Sequence, residues 1–317
     1  MPECASEEFF DTVAKTPYVA FQAVSCNIEH SWLEKELTHT MPASLTKTTV
    51  RKQTLQLGAE LVGFAPVSRW HNVEGMKPGY SPVDILPGAK TVIVFGVPMT
   101  LPIIDSTPSI NYQEMYDTSN RLLDEIGYRL ANWLNARGRA SVSLPRDGYA
   151  SLEALLKNPD GCFSHVIAGV YAGLGTIGLS HNLLVPAYGP RVRLNSVITT
   201  LELPGDKLQA KELCPKCKLC EQTCPAKAIT PRKDGVVGDL DRDACTQHHI
   251  VLRDEGHWPC GVCCKVCPVG VDRKQFVSYT RKQYLAEPVA IAENPADSVY
   301  ARLTHLRRHG SKKDRQC

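Results

Sequence analysis

No stretch of this 317-residue chain approaches the about 18 uninterrupted apolar residues that a membrane span needs; runs such as 92–97 are among the longest. The opening residues, MPECASEEFFDTVAK, lack the basic leader, the apolar stretch and the twin-arginine pair of an export signal. The protein is therefore expected to be soluble and cytoplasmic, with no membrane partner. An excess of one charge is missing as well. Thirty-six basic against 33 acidic side chains leave +3, too little to make nucleic acid or an anionic membrane the main partner. With 43% apolar residues the chain has the material for one large core or two unequal ones.

Cysteine is what the chain does have. There are 13, and nine of them fall between residues 214 and 267. A disulfide scaffold belongs to short secreted proteins, so clustering in a long chain without a leader points to metal. Cys4, Cys26, Cys162 and Cys317 are scattered and receive no role.

Along the chain, residues 44–57 read as a helix stopped near Gly58, and 59–66 as a strand. Residues 91–97, TVIVFGV, are a β-branched run suited to a strand buried on both faces. Between 112 and 137, Leu122, Leu123, Ile126, Leu130, Trp133 and Leu134 recur at helical spacing before Gly138, which predicts the longest helix. A further helix is expected over 149–157. Residues 191–203 alternate like a half-exposed strand. Interleaved strands and helices favour an α/β or α+β fold. Composition changes at Pro204-Gly205-Asp206, which sets a first domain at 1–205, a cysteine domain at 206–275 and a tail at 276–317. The basic, polar end from Arg302 reads as frayed.

The first cysteine run, Cys214, Cys217, Cys220 and Cys224 followed by Pro225, has the bacterial ferredoxin spacing C-x2-C-x2-C-x3-C-P. The second, Cys260, Cys263 and Cys267 followed by Pro268, is one ligand short, and Cys245 is placed to supply it. With the crossed pattern of two-cluster ferredoxins, Cys214, Cys217, Cys220 and Cys267 would hold one [4Fe–4S] cluster. Cys224, Cys245, Cys260 and Cys263 would hold the other, leaving Cys264 over. Two zinc ribbons are the competing reading of the C-x2-C pairs, but zinc needs neither the Cys-Pro endings nor an interleaved fourth ligand.

Gly173, Gly175 and Gly178 satisfy G-x-G-x-x-G, the dinucleotide fingerprint. Pro186 and Pro190 soon afterwards forbid the long helix such a motif should open, and Glu202 lies in the strand-like run rather than at a ribose-binding position. The glycines are instead expected to let backbone approach a flat ligand or another chain segment, and are taken as candidate cofactor-binding positions.

The segment AGLGTIG at 172–178, LPGAKTVIV at 86–94 and the cysteine order together resemble epoxyqueuosine reductases and the related cobalamin-dependent reductive dehalogenases. The resemblance implies a nitroreductase-like N-terminal domain followed by a two-cluster ferredoxin-like domain. It implies two [4Fe–4S] clusters passing electrons to a base-off corrinoid, cobalamin, that reduces an organic substrate, small or tRNA-borne. It implies a low-potential donor such as ferredoxin or flavodoxin. A flavin reductase holding FMN is one alternative, and an electron-transfer or corrinoid-handling protein without its own substrate is another. No D-x-H-x-x-G is present, in keeping with a base-off site, and either of His165 and His181, which flank the glycines, could meet a cofactor, although both read better as structural. The family's acidic DSAPVLE segment is absent; Asp160 lies nearby in a turn, Asn-Pro-Asp-Gly, so no catalytic acid is assigned. The helical-repeat extension by which longer relatives grip tRNA is not expected here.

Overall fold

The computed structural model describes residues 45–71, 78–276 and 279–309. The N-terminal region with Cys4 and Cys26, and the end with Cys317, lie outside the described residues. Helix α1 (Lys47–Gln56) begins where the Thr46 hydroxyl accepts from Thr49 N–H, and Gly58 ends it at φ +110°, a conformation costly for any residue with a Cβ. Then come β1 (Leu61–Pro66), α2 (Pro82–Ile85), β2 (Thr91–Pro98), α3 (Leu101–Ile104) and α4 (Ile110–Asn135). The first half closes with β3 (Ser141–Ser143), α5 (Leu152–Lys157), α6 (His165–Tyr171), β4 (Thr176–Ile177), β5 (Leu183–Leu184) and β6 (Val192–Thr199).

These form a four-stranded sheet of order β1-β2-β6-β3, antiparallel throughout, with β4 and β5 as a separate pair. Side chains alternate across it. Ile93, Phe95 and Val97 of β2 pack with Leu123, Ile126, Leu130 and Leu134 of α4 on one face. Val92 and Val94 pack with Trp70, Phe163 and Ala168 on the other. Strand β2 is thus buried on both faces, as its sequence suggests, and α4 is the longest helix among the described residues.

The expectation of a half-exposed strand at 191–203 is corrected. Strand β6 is central and buried except for partial exposure at Arg193. Its polar positions find partners inside the protein. Asn195 donates to the Leu123 carbonyl at 3.3 Å, Ser196 bonds His165 at 2.9 Å and Thr199 accepts from Ser141 at 2.8 Å. Buried polar groups paired in this way mimic surface alternation.

The second half contains α7 (Leu219–Gln222), β7 (Ile229–Thr230), β8 (Asp239–Leu240), α8 (Arg242–Glu255), α9 (Val262–Lys265) and α10 (Asp272–Gln275). It ends with α11 (Arg281–Glu293) and α12 (Ala301–Arg308). The frayed end expected from Arg302 is corrected as far as the structure describes it. Leu303 is fully buried, and Arg307 donates to the carbonyls of Ser106 and Thr107 and pairs with Glu287 at 2.6 Å. Residues 310–317 lie outside the described residues.

Candidate metal and cofactor site

The clustered thiols project from α7, α8, α9 and the coils beside them. Lys216, Lys218 and Gly261 sit inside the C-x2-C gaps at φ +54°, +61° and +66°, left-handed turns that curl the loops tightly. At Gly261 a Cβ would meet the Tyr112 ring at 2.6 Å, so glycine is required where this loop lies against α4.

Burial pushes the Cys220 thiol up to about 12, and Cys263, Cys267, Cys217 and Cys214 around it raise it further. Burial likewise lifts Cys267 to about 11, with Cys217 and Cys214 among its neighbours. Cys245, at about 11, and Cys260, at about 12, are raised first by burial and then by Cys263 and Cys224. The structure therefore brings Cys214, Cys217, Cys220 and Cys267 together, and Cys224, Cys245 and Cys260 together with Cys263, which also approaches the first group. Thiols crowded in this way give up protons readily only to a metal centre. Among the described residues no three His, Cys, Asp or Glu side chains could share a single metal ion. Two sulfurs also accept hydrogen bonds, Cys263 from Asn182 at 3.4 Å and Cys224 from Ala228 N–H at 3.3 Å. Cys264 packs into an apolar cluster with Met99, Leu101, Ile104, Tyr112 and Tyr116, and its thiol donates to the Cys263 sulfur.

The second set forms one wall of a cavity of about 540 Å³, within the range that holds cofactor-sized ligands. The opposite wall comes from Met99, Tyr112, Tyr116, Tyr149, Val192 and Arg193, with His181, Asn182, His248 and His249 alongside. Burial raises the phenols of Tyr112, Tyr116 and Tyr149, so all three stay protonated. Arg193 lies over the Tyr116 ring at 4.4 Å and is held by Asn120 at 2.9 Å and Asp147 at 2.8 Å. Burial, with His248 adding to it, lowers His249 to about 4, so its imidazole is neutral at neutral pH. Beside this cavity, across Tyr149, lies a second of about 460 Å³. There Trp258 Nε1 is a buried donor without a hydrogen-bond acceptor, so an acceptor-bearing ligand complements it, while Arg146 Nε lies 3.4 Å from the Asp147 carboxylate.

Apart from His181, which was weighed as a cofactor contact and read as structural, and the cysteines, none of these cavity-wall residues was singled out for function from sequence. The one available signal was Tyr112 and Tyr116, an i, i+4 pair that precedes the apolar stripe of α4.

The three glycines sit where chain approaches chain. A Cβ at Gly173 would fall 2.2 Å from the Lys207 carbonyl oxygen, and one at Gly175 1.8 Å from that of Leu184. Gly178 lines the pocket of the first thiol set, together with Lys218 and Pro268. His165 has both ring nitrogens engaged. Its Nε2 donates to the Pro145 carbonyl, so Nδ1 accepts from Ser196, both at 2.9 Å. His181 borders the large cavity while its Nε2 donates to the Gly238 carbonyl at 2.7 Å. Asp160 is a turn residue, its N–H on Asn158 and its carboxylate 3.4 Å from Arg242. Cys162 is exposed and apart from the cluster.

No family model matches the chain. Over 228 residues it is 28% identical to a tetrachloroethene reductive dehalogenase of Desulfitobacterium hafniense, covering 66% of this chain and 36% of that protein. Over 106 residues it is 39% identical to an epoxyqueuosine reductase of Synechococcus sp. strain RCC307, 31% of each chain. Among solved structures, a reductive dehalogenase described through B12-dependent dehalogenation aligns at TM-score 0.55 and 18% identity, covering 82% of this chain and 37% of the other. That likeness shows a shared mixed α/β fold. The chain spans little more than a third of the length of the reductive dehalogenases it matches. Its sequence relatives are reductases of the two kinds it resembles. No helix among the described residues is long and apolar enough to cross a membrane.

Proposed function

We propose that this chain is a cytoplasmic iron–sulfur reductase with a nitroreductase-like domain over 1–205 and a two-cluster ferredoxin-like domain over 206–275. In this reading Cys214, Cys217, Cys220 and Cys267 hold the outer [4Fe–4S] cluster. Cys224, Cys245, Cys260 and Cys263 hold the inner one. A corrinoid occupies the large cavity. The observation that carries the reading is that one cavity is walled by the inner thiol set on one side and by three protonated tyrosines on the other. A carrier without a substrate of its own has no need of such a chamber.

The donor set fits the groups. Soft thiolates in two fours suit iron–sulfur cages, and a chamber lined by flat rings suits a flat macrocycle. When bound, the corrinoid supplies a low-potential metal able to reduce a carbon centre. The chain's own part is to exclude water, orient the substrate and deliver a proton. Tyr149 is the best-placed donor, because its phenol borders both cavities and has no hydrogen-bond partner among the described residues. Its raised pKa suits it to protonate only a strongly basic centre, such as carbon that has just gained electrons. Trp258 Nε1 would hold an oxygen of the substrate, small or tRNA-borne, on the far side of Tyr149. Gly173 and Gly175 bring backbone segments together, and Gly178 shapes the wall of the outer cluster.

Tyr149→Phe is expected to bind cobalamin like the parent, by visible spectroscopy, and to lose turnover by about 10²-fold, the lower end of what a positioned proton donor contributes. Undiminished turnover would remove Tyr149 from the reaction. A yellow cofactor released on denaturation, with no cobalamin binding, would support the FMN alternative.

A further inference from the structure

Electrons must reach the outer cluster from outside, and the surface around its ligands has a definite chemistry. Lys216 and Lys218 lie within the ligand loop and are exposed, as are Lys211 just before it and Arg281 and Lys282 at the start of α11. Arg281 ties that helix to the loop by donating to the Cys217 carbonyl at 2.7 Å and to Gln222 at 2.8 Å. Among the described residues none of these five cations is in an ion pair, and the ligand loop and its flanks carry only two carboxylates, Glu212 and Glu221. Along α11, Leu285 and Val289 follow Arg281 at four-residue steps and are 40% and 60% exposed. A ring of unpaired positive charge with an apolar stripe at its edge is the make-up of a transient protein interface.

We propose that this collar is the docking surface for an acidic one-electron carrier protein, of flavodoxin or ferredoxin type, which reduces the outer cluster. The proposal rests on the reading that Cys214, Cys217, Cys220 and Cys267 hold that cluster. In the transfer one electron leaves the reduced carrier and enters the cluster; no bond forms and no proton moves. A second copy of this chain does not fit the collar, since it would bring the same positive patch on a molecule of net charge +3.

The test is cluster reduction followed by stopped-flow bleaching in the full-length, iron-loaded protein, without corrinoid or substrate. The triple variant Lys211→Glu, Lys216→Glu, Lys282→Glu avoids the cysteines and Arg281. With a reduced acidic flavodoxin at low ionic strength, its second-order rate should fall by about tenfold or more. The gap should close near about 0.5 M salt, where charges are screened within a few ångströms. Reduction by methyl viologen radical cation, which needs no docking site, should not be slowed. Equal rates with flavodoxin would overturn the proposal, and so would a parallel slowing with viologen, because the lesion would then lie in the cluster. Iron content is measured first. A chain that assembles no cluster fails the reading of function, whereas full iron with equal rates fails only the docking surface.

Discussion

Asp272→Ala is expected to destabilise the protein by about 3–5 kcal/mol, the cost of leaving a buried charge without its partner. The partner is Arg191, whose side chain is 0% exposed and forks onto Asp272 through Nε and Nη2, both at 2.6 Å. The same guanidinium donates to the carbonyls of Cys264, Cys267 and Val269 at 3.3, 3.1 and 2.6 Å. Arg191 immediately precedes β6, so this one side chain fastens the second cysteine run to the central strand of the sheet. At Gly189 a Cβ would lie 2.0 Å from the Val269 oxygen, so the two segments could come no closer. For a domain with about 5–15 kcal/mol in total, such a loss leaves little folded protein. Denaturant midpoints of the variant measure it. Arg191→Met combined with Asp272→Leu, which removes both charges, should recover much of the deficit. A loss below about 1 kcal/mol in the single variant would mean that the pair does not anchor the cysteine run.

Cys245→Ser is expected to cost the inner cluster alone, lowering iron from about eight to about four per chain and abolishing turnover. Cys245 is reached from α8, away from the two dense runs, and its neighbours are Cys263 and Cys224. Cys264→Ala should keep all the iron, because that thiol packs against Met99 and the α4 tyrosines and reaches the ligand set only as a hydrogen-bond donor to the Cys263 sulfur. Iron and sulfide analysis of these two variants and of Cys263→Ala decides the matter. Four irons lost from Cys264→Ala, with none lost from Cys263→Ala, would exchange the two in the ligand set.

The cysteine framework was legible because short spacings fix what a loop can wrap around, whatever the rest of the chain does. Strand β2 and helix α4 were legible for a similar reason, their patterns being long and unmixed. Strand β6 misled because its polar residues are paired inside the protein, and burial of that kind cannot be told from exposure by alternation. The end of the chain misled in the same way. Its charges look solvated in sequence, yet Arg307 donates to the Glu287 carboxylate at 2.6 Å, a group that also takes the buried Lys265 of the second cysteine run. The cavity was not legible at all. Its walls are Tyr116 from α4, Tyr149 from a coil, Arg193 from β6 and His249 from α8, brought together only by the tertiary fold. The G-x-G-x-x-G pattern was set aside on its flanking prolines, and the close approach of Leu184 to Gly175 gives the glycines a packing reason to be there.

Whether two clusters serve a corrinoid in this chain is decided by metal stoichiometry. The protein would be assembled anaerobically with iron, sulfide and cobalamin, freed of unbound material, and analysed for iron, sulfide and cobalt, with EPR of the oxidised and reduced forms. About eight irons, about eight sulfides and about one cobalt per chain are expected, with a cobalt(II) signal free of nitrogen splitting from the cofactor's own base. Iron at that level with no cobalt would contradict the corrinoid reading.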